Sequence, residues 1–105
     1  VIVTIDVPDQ LVTDTIITAL EGGINYWCRS AERGSADRLN ITFFENEGPH
    51  PGTRHAFVAS DWPRILATMA TKAPRHFANL VGDYGDAVTA DVLVQIACFG
   101  EIKYG

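Results

Sequence analysis

Residues 90–99, ADVLVQIACF, hold only two polar side chains, Asp91 and Gln95. Thr89 and Gly100 bracket the segment at helical length, a capping hydroxyl at one end and a left-handed stop at the other. A helix apolar nearly all round belongs at the centre of a fold, with other elements packed around it. Val92, Val94 and Ile96 would also suit a strand, and the bracketing residues favour the helix. Asp91 and Gln95 stand at i and i+4, so they share one face and can hydrogen-bond each other. That face is either the solvent side of the helix or a buried polar seam that needs partners from elsewhere.

The remaining elements are read from period and punctuation. Val1–Val7 alternates and predicts a first strand, ended by Pro8. Asp9 is placed to cap a helix whose apolar residues are Leu11, Val12, Ile16, Ile17, Ala19 and Leu20, with Gly22–Gly23 as its stop. Ile24–Arg29 (INYWCR) and Leu39–Glu45 (LNITFFE) are β-prone, with a polar turn around Gly34 between them. The glycines and prolines of Asn46–Thr53 predict a loop, and Arg54–Ala59 returns as a strand. Ser60–Asp61 followed by Pro63 starts a helix buried through Ile65, Leu66, Met69 and Ala70. Pro74–Val81 is a shorter helix, and Glu101–Tyr104 a terminal extension or edge strand. The order β-α-β-β-β-α-α-α predicts an α+β fold: a mainly antiparallel sheet of about four strands, with three to four helices packed on one face.

A chain of 105 residues fits one domain, residues 1–105, and buries roughly 65% of its unfolded surface. The shares of hydrophobic (47%) and charged (20%) residues are those of an ordinary globular domain and exclude disorder and coiled coil. No apolar run reaches the roughly 18 residues of a membrane span, and VIVTIDV does not read as a signal peptide. Cys28 and Cys98 both lie in apolar segments, the setting of free, buried thiols in a reducing cytoplasm. Net charge is −5. Both ends are acidic and only the middle is mildly basic, which argues against nonspecific nucleic-acid binding and against anionic membranes.

Motifs for chemistry are missing. No GxxxxGK[ST] or GxGxxG occurs, no CxxC or HxxxH, and no GxSxG around Ser30, Ser35 or Ser60. His50, His55 and His76 share no ligand spacing, and Asp83, Asp86 and Asp91 surround a glycine turn without an EF-hand loop. Neither a catalytic residue nor a metal or cofactor is expected. Two stretches remain as candidate binding positions. In Ala19–Cys28 (ALEGGINYWC), Tyr26 and Trp27 offer an aromatic wall, with Glu21 and Asn25 as polar contacts. In the last helix, Asp91 and Gln95 supply the polar seam.

Those stretches carry a resemblance. The residues Ala19, Leu20, Glu21, Gly22, Gly23, Asn25, Tyr26 and Trp27, then Ala90, Asp91, Gln95, Phe99, Gly100, Glu101, Tyr104 and Gly105, resemble a family of small uncharacterised phage and prophage proteins. Its members carry an ALEGG-x-NYW segment and an AD-x-x-x-Q-x-x-x-FGE-x-x-YG ending. The likeness covers about a quarter of the chain. It implies a viral or prophage origin and the host cytoplasm as the site of action; it implies no activity.

The expectation is therefore a non-enzymatic binding module acting on a host or phage macromolecule, with inhibition of host defence as one form of that action. A protein is the expected partner, and a homodimer through the terminal strand is a further one. Two alternatives stand beside it. One is a small-ligand or nucleotide site where Glu21, Asn25, Tyr26, Trp27, Asp91 and Gln95 converge between the first and last helices. The other is an enzyme whose site is assembled only by folding.

Overall fold

The computed structural model of the chain describes residues 4–33 and 37–105. Four helices, α1 (Asp9–Thr18), α2 (Trp62–Lys72), α3 (Pro74–Val81) and α4 (Ala87–Phe99), accompany three strands, β1 (Cys28–Arg33), β2 (Ile41–Glu45) and β3 (Thr53–Phe57). The strands form an antiparallel sheet in the order β1-β2-β3, which is the α+β architecture expected. Three strands of the sheet lie among the described residues. Thr4–Val7 form no strand, and Val1–Val3 of the expected first strand lie outside the described residues.

The apolar α4 is the hub. Thr89, Ala90 and the run from Val92 to Ile96 are all buried, and α4 packs against α1, α2, α3 and the turn that follows α1. Its start is Ala87, two residues before Thr89. Asp86 is the cap, its carboxylate accepting from the Thr89 backbone N–H at 2.9 Å, so Thr89 sits inside the first turn. At the other end Gly100 takes φ 72° and ψ 1°, the left-handed stop that a side chain would oppose. The helix over residues 92–99 is thereby confirmed.

On β2 the burial alternates. Ile41, Phe43 and Glu45 point inward, and Thr42 and Phe44 point outward. Cross-strand partners share a face, so His55 and Phe57 of β3 and Ala31 of β1 join the inward set. Helix residues pack against this side. Phe57 meets Trp62 of α2 at 5.7 Å between ring centroids, and the Trp62 indole donates to the Leu39 carbonyl at 2.8 Å. His55 meets Phe99 of α4 edge-on at 5.2 Å.

Other boundaries differ from expectation as well. Gly22–Gly23 end a π-helical turn, Ala19–Gly23, rather than a simple cap. Ile24–Trp27 are turns, so the expected strand Ile24–Arg29 begins only at Cys28 and runs on to Arg33, into the expected polar turn. A β-bulge at Arg29 explains the mismatch: Cys28 opposes Glu45 and Ser30 opposes Phe44, leaving Arg29 as the extra residue that breaks the alternation. Finally, Glu101–Tyr104 form no strand; these residues run as an irregular tail held by side chains.

Candidate functional site

Ile24–Trp27 carry Tyr26 and Trp27 from the end of the π-helical turn across to α4. There, four of the six candidate residues meet. The Trp27 indole N–H donates to Asp91 Oδ1 at 2.7 Å, and the Tyr26 hydroxyl donates to Asp91 Oδ2. Gln95, one turn further along α4, donates through Nε2 to the same Asp91 Oδ1 at 2.9 Å. The i, i+4 pair is thus a buried polar seam rather than the solvent side of the helix: Gln95 is 1% exposed and Trp27 fully buried. Tyr26 covers the seam from outside with half its surface in solvent. Burial pushes its phenol up to about 12, and the Asp91 hydrogen bond and charge act in the same direction.

The two remaining candidates stand apart. Glu21 is exposed on the π-helical turn, and Asn25 is exposed beside a 250 Å³ groove lined by Leu20, Ile24 and Arg29. Neither forms a hydrogen bond with the other four.

What completes the seam is the tail. Gln95 Oε1 accepts from the backbone N–H groups of Lys103 and Tyr104 at 2.8 and 2.7 Å, and its Nε2 donates to the Tyr104 carbonyl at 3.0 Å. A primary amide has the donor and acceptor set to read a peptide in this way. The Tyr104 ring stacks on Trp27 at 5.8 Å with a 16° tilt, and Phe99 closes the group edge-on. The tail covers the ground where an open pocket between the first and last helices was expected.

The second anchor is Glu45, which sequence reasoning missed. It is only 5% exposed. Its Oε2 accepts from Lys103 Nζ at 2.8 Å and from the Tyr104 hydroxyl, and His55 Nε2 lies 3.3 Å from Oε1. Burial pushes the Glu45 carboxyl up, but the hydrogen bonds from Lys103, Tyr104 and His55 and the Lys103 charge outweigh it and hold it below its ordinary value. The same contact raises Lys103; for Tyr104, burial and then Glu45 raise the phenol. The signal was in the β2 pattern. Once Ile41 and Phe43 face inward, period two sends Glu45 inward too, and a buried carboxylate needs a cation or donors. Over this anchor folds the Asn46–Thr53 loop, with Gly48 at φ 95°; a Cβ there would stand 3.0 Å from the Tyr104 hydroxyl.

Among the described residues no three of His, Cys, Asp and Glu gather closely enough for a metal ion, and no buried side-chain polar atom is left without a partner. Cys28 is buried, and burial pushes the Cys98 thiol well up, the opposite of an activated nucleophile. His76 is tied to Thr89 at 3.1 Å. A separate groove of 520 Å³, lined by Ile5, Val7, Leu66 and Phe77, runs between the N-terminal segment and α2–α3. Among the described residues no helix is long and apolar enough to cross a membrane. Comparisons with family models, with curated proteins and with solved structures find no match to this chain.

Proposed function

We propose that this chain is a non-enzymatic binding module that acts by occupying the surface of a protein, a host or phage macromolecule in the host cytoplasm. The observation that carries the reading is the closed hydrogen-bond seam. Asp91, Tyr26, Trp27 and Gln95 are engaged with one another and with the tail, and Glu45 with Lys103, Tyr104 and His55. A general base or nucleophile needs a free lone pair facing a substrate cavity. These groups are instead bound to internal partners, so they support a rigid body whose work is done by its exterior. The likeness to small phage proteins supports a bacterial partner, and inhibition of a defence protein is one form such binding takes.

The test is affinity capture on the immobilised full chain from bacterial lysate, followed by mixing of the purified captured protein with the purified chain. A stoichiometric complex of micromolar affinity or tighter is expected, with loss of the captured protein's own activity. Retention of nothing at micromolar bait, or turnover of a substrate by the chain itself, would overturn the reading.

A further inference from the structure

We infer that the cleft holding the tail is a peptide-binding site in its own right, that Lys103 and Tyr104 are its resident ligand, and that a lysine–tyrosine segment of the protein partner takes their place. The inference rests on the reading above, that the chain binds a protein, and adds the site and the segment it recognises.

Three parts of the chain distant in sequence build the cleft. Gln95 of α4 takes the Tyr104 peptide unit from both sides, at 2.7 and 3.0 Å. Glu45 of β2 accepts from the Lys103 ammonium at 2.8 Å and from the Tyr104 hydroxyl. The Tyr104 ring lies nearly parallel to Trp27, and the Lys103 ammonium stands 4.7 Å from the centre of the Phe99 ring. Backbone, charge, hydroxyl and ring of a lysine–tyrosine pair thus each meet a group that recognises them. Apolar side chains of similar volume would hold a tail as firmly as a buried carboxylate and a buried amide do; what the polar pair adds is a requirement for one kind of occupant.

The way the tail is fastened lets it be replaced. Among the described residues no backbone group of Glu101–Gly105 bonds to another backbone group; the backbone bonds of Lys103 and Tyr104 all run to the Gln95 side chain. Glu101, Ile102 and Lys103 are exposed, and so is the loop from Glu47 to Thr53 that folds over Tyr104. α4 already ends at Gly100, so lifting the tail does not unwind the helix. An empty cleft would leave Gln95 and Glu45 buried without partners, which favours exchange of one occupant for another of the same chemistry. A second copy of the chain fits less well. It brings the same tail with no gain over the one already tethered, whose effective concentration is on the order of millimolar. A partner protein adds contacts outside the cleft.

The experiment uses the full chain carrying K103E/Y104S, which sets a negative charge against Glu45 and removes the ring. Its probe is a fluorescein-labelled GEIKYG peptide, the sequence of residues 100–105, read by anisotropy. The variant is expected to bind the peptide at least about tenfold more tightly than wild type, whose own tail competes. GEIEYG and GEIKSG should each bind the variant at least about tenfold more weakly than GEIKYG, the first lacking the ammonium that Glu45 takes and the second the ring that Trp27 carries. Circular dichroism checks that the variant is folded before peptide is added. If it is not, hydrogen exchange on wild type decides: the Lys103 and Tyr104 amides should exchange faster than those of Leu93 and Val94 in α4, and faster still with millimolar GEIKYG. Equal binding of the three peptides, no binding to the folded variant, or exchange of the tail only together with α4 would overturn the proposal. So would light scattering that finds two copies per particle for wild type and one for K103E/Y104S, which would assign the cleft to a second copy. The capture experiment separates the two readings. A partner retained by wild type and not displaced by millimolar GEIKYG leaves the binding function standing and removes this cleft; no partner for wild type or variant removes the function itself.

Discussion

Gln95 grips the Tyr104 peptide unit from both sides, Oε1 on its N–H at 2.7 Å and Nε2 on its carbonyl at 3.0 Å. A side chain from the innermost helix therefore does for the tail what a neighbouring strand would do for an edge. The first expectation follows from it. Gln95→Ala removes these bonds, those to Lys103 and Asp91, and the filling of a buried site. It should cost about 2–4 kcal/mol in urea unfolding, since buried groups are left unpaired. Near-ultraviolet circular dichroism should lose the signal of stacked Trp27 and Tyr104.

Glu45 sets the acid side of the stability curve. Its pKa is lowered in the fold, so the stability it contributes is present above the ordinary value of 4.5 and is lost as pH falls through the folded value. Wild type should lose stability on acidification from pH 4.5 downward. Glu45→Gln should be less stable at neutral pH by about 1–2 kcal/mol, a figure discounted because Lys103 is 40% exposed. It should also show a flatter acid limb. Denaturant midpoints across an acid series read both.

The alkaline side belongs to Tyr26. Its folded pKa is raised from 10.0 to about 12, so its contribution is full below pH 10 and is lost as pH climbs towards 12. Tyr26→Phe should abolish that part of the alkaline decline and cost about 1 kcal/mol at neutral pH, the net worth of one hydrogen bond. Spectroscopic titration of tyrosinate should show late titration of Tyr26, and the phenol that vanishes last should be missing in the variant.

Gly48 links the long loop to the tail. Its φ of 95° and the close Tyr104 hydroxyl both resist a Cβ. Gly48→Ala should destabilise by on the order of 1–3 kcal/mol. Hydrogen exchange should speed at Lys103 and Tyr104, the backbone amides the tail anchors protect.

Much of this was readable from the chain. The apolar run after Ala90 pointed to a central helix because nothing else hides so many side chains at once. The i, i+4 spacing of Asp91 and Gln95 put them on one face and left open whether it was the solvent side or a buried seam; the structure supplies the donors, Tyr26 and Trp27. Glu21 and Asn25 were grouped with them by adjacency alone, and both lie exposed, Glu21 on the π-helical turn and Asn25 in the turn after it. The start of β1 was obscured by one extra letter, Arg29, which inverts the alternation at the bulge. The tail read only as a terminal extension or edge strand because what holds it is a side chain, which no period reveals. Thr89 looked like a cap because Asp86, three residues earlier, caps through Thr89's own N–H.

The two carboxylates that hold the seam together are answered in different ways. Lys103, a full cation, faces Glu45; Asp91 receives only the dipoles of a phenol, an indole and an amide. Mobile ions weaken the first kind of contact and leave the second nearly untouched. Dissolved salt thus acts unevenly on the same two residues, slackening the Lys103 side chain on Glu45 while the Gln95 clasp on the Lys103 and Tyr104 backbone keeps its hold, so that ionic strength alone can tell one fastening from the other.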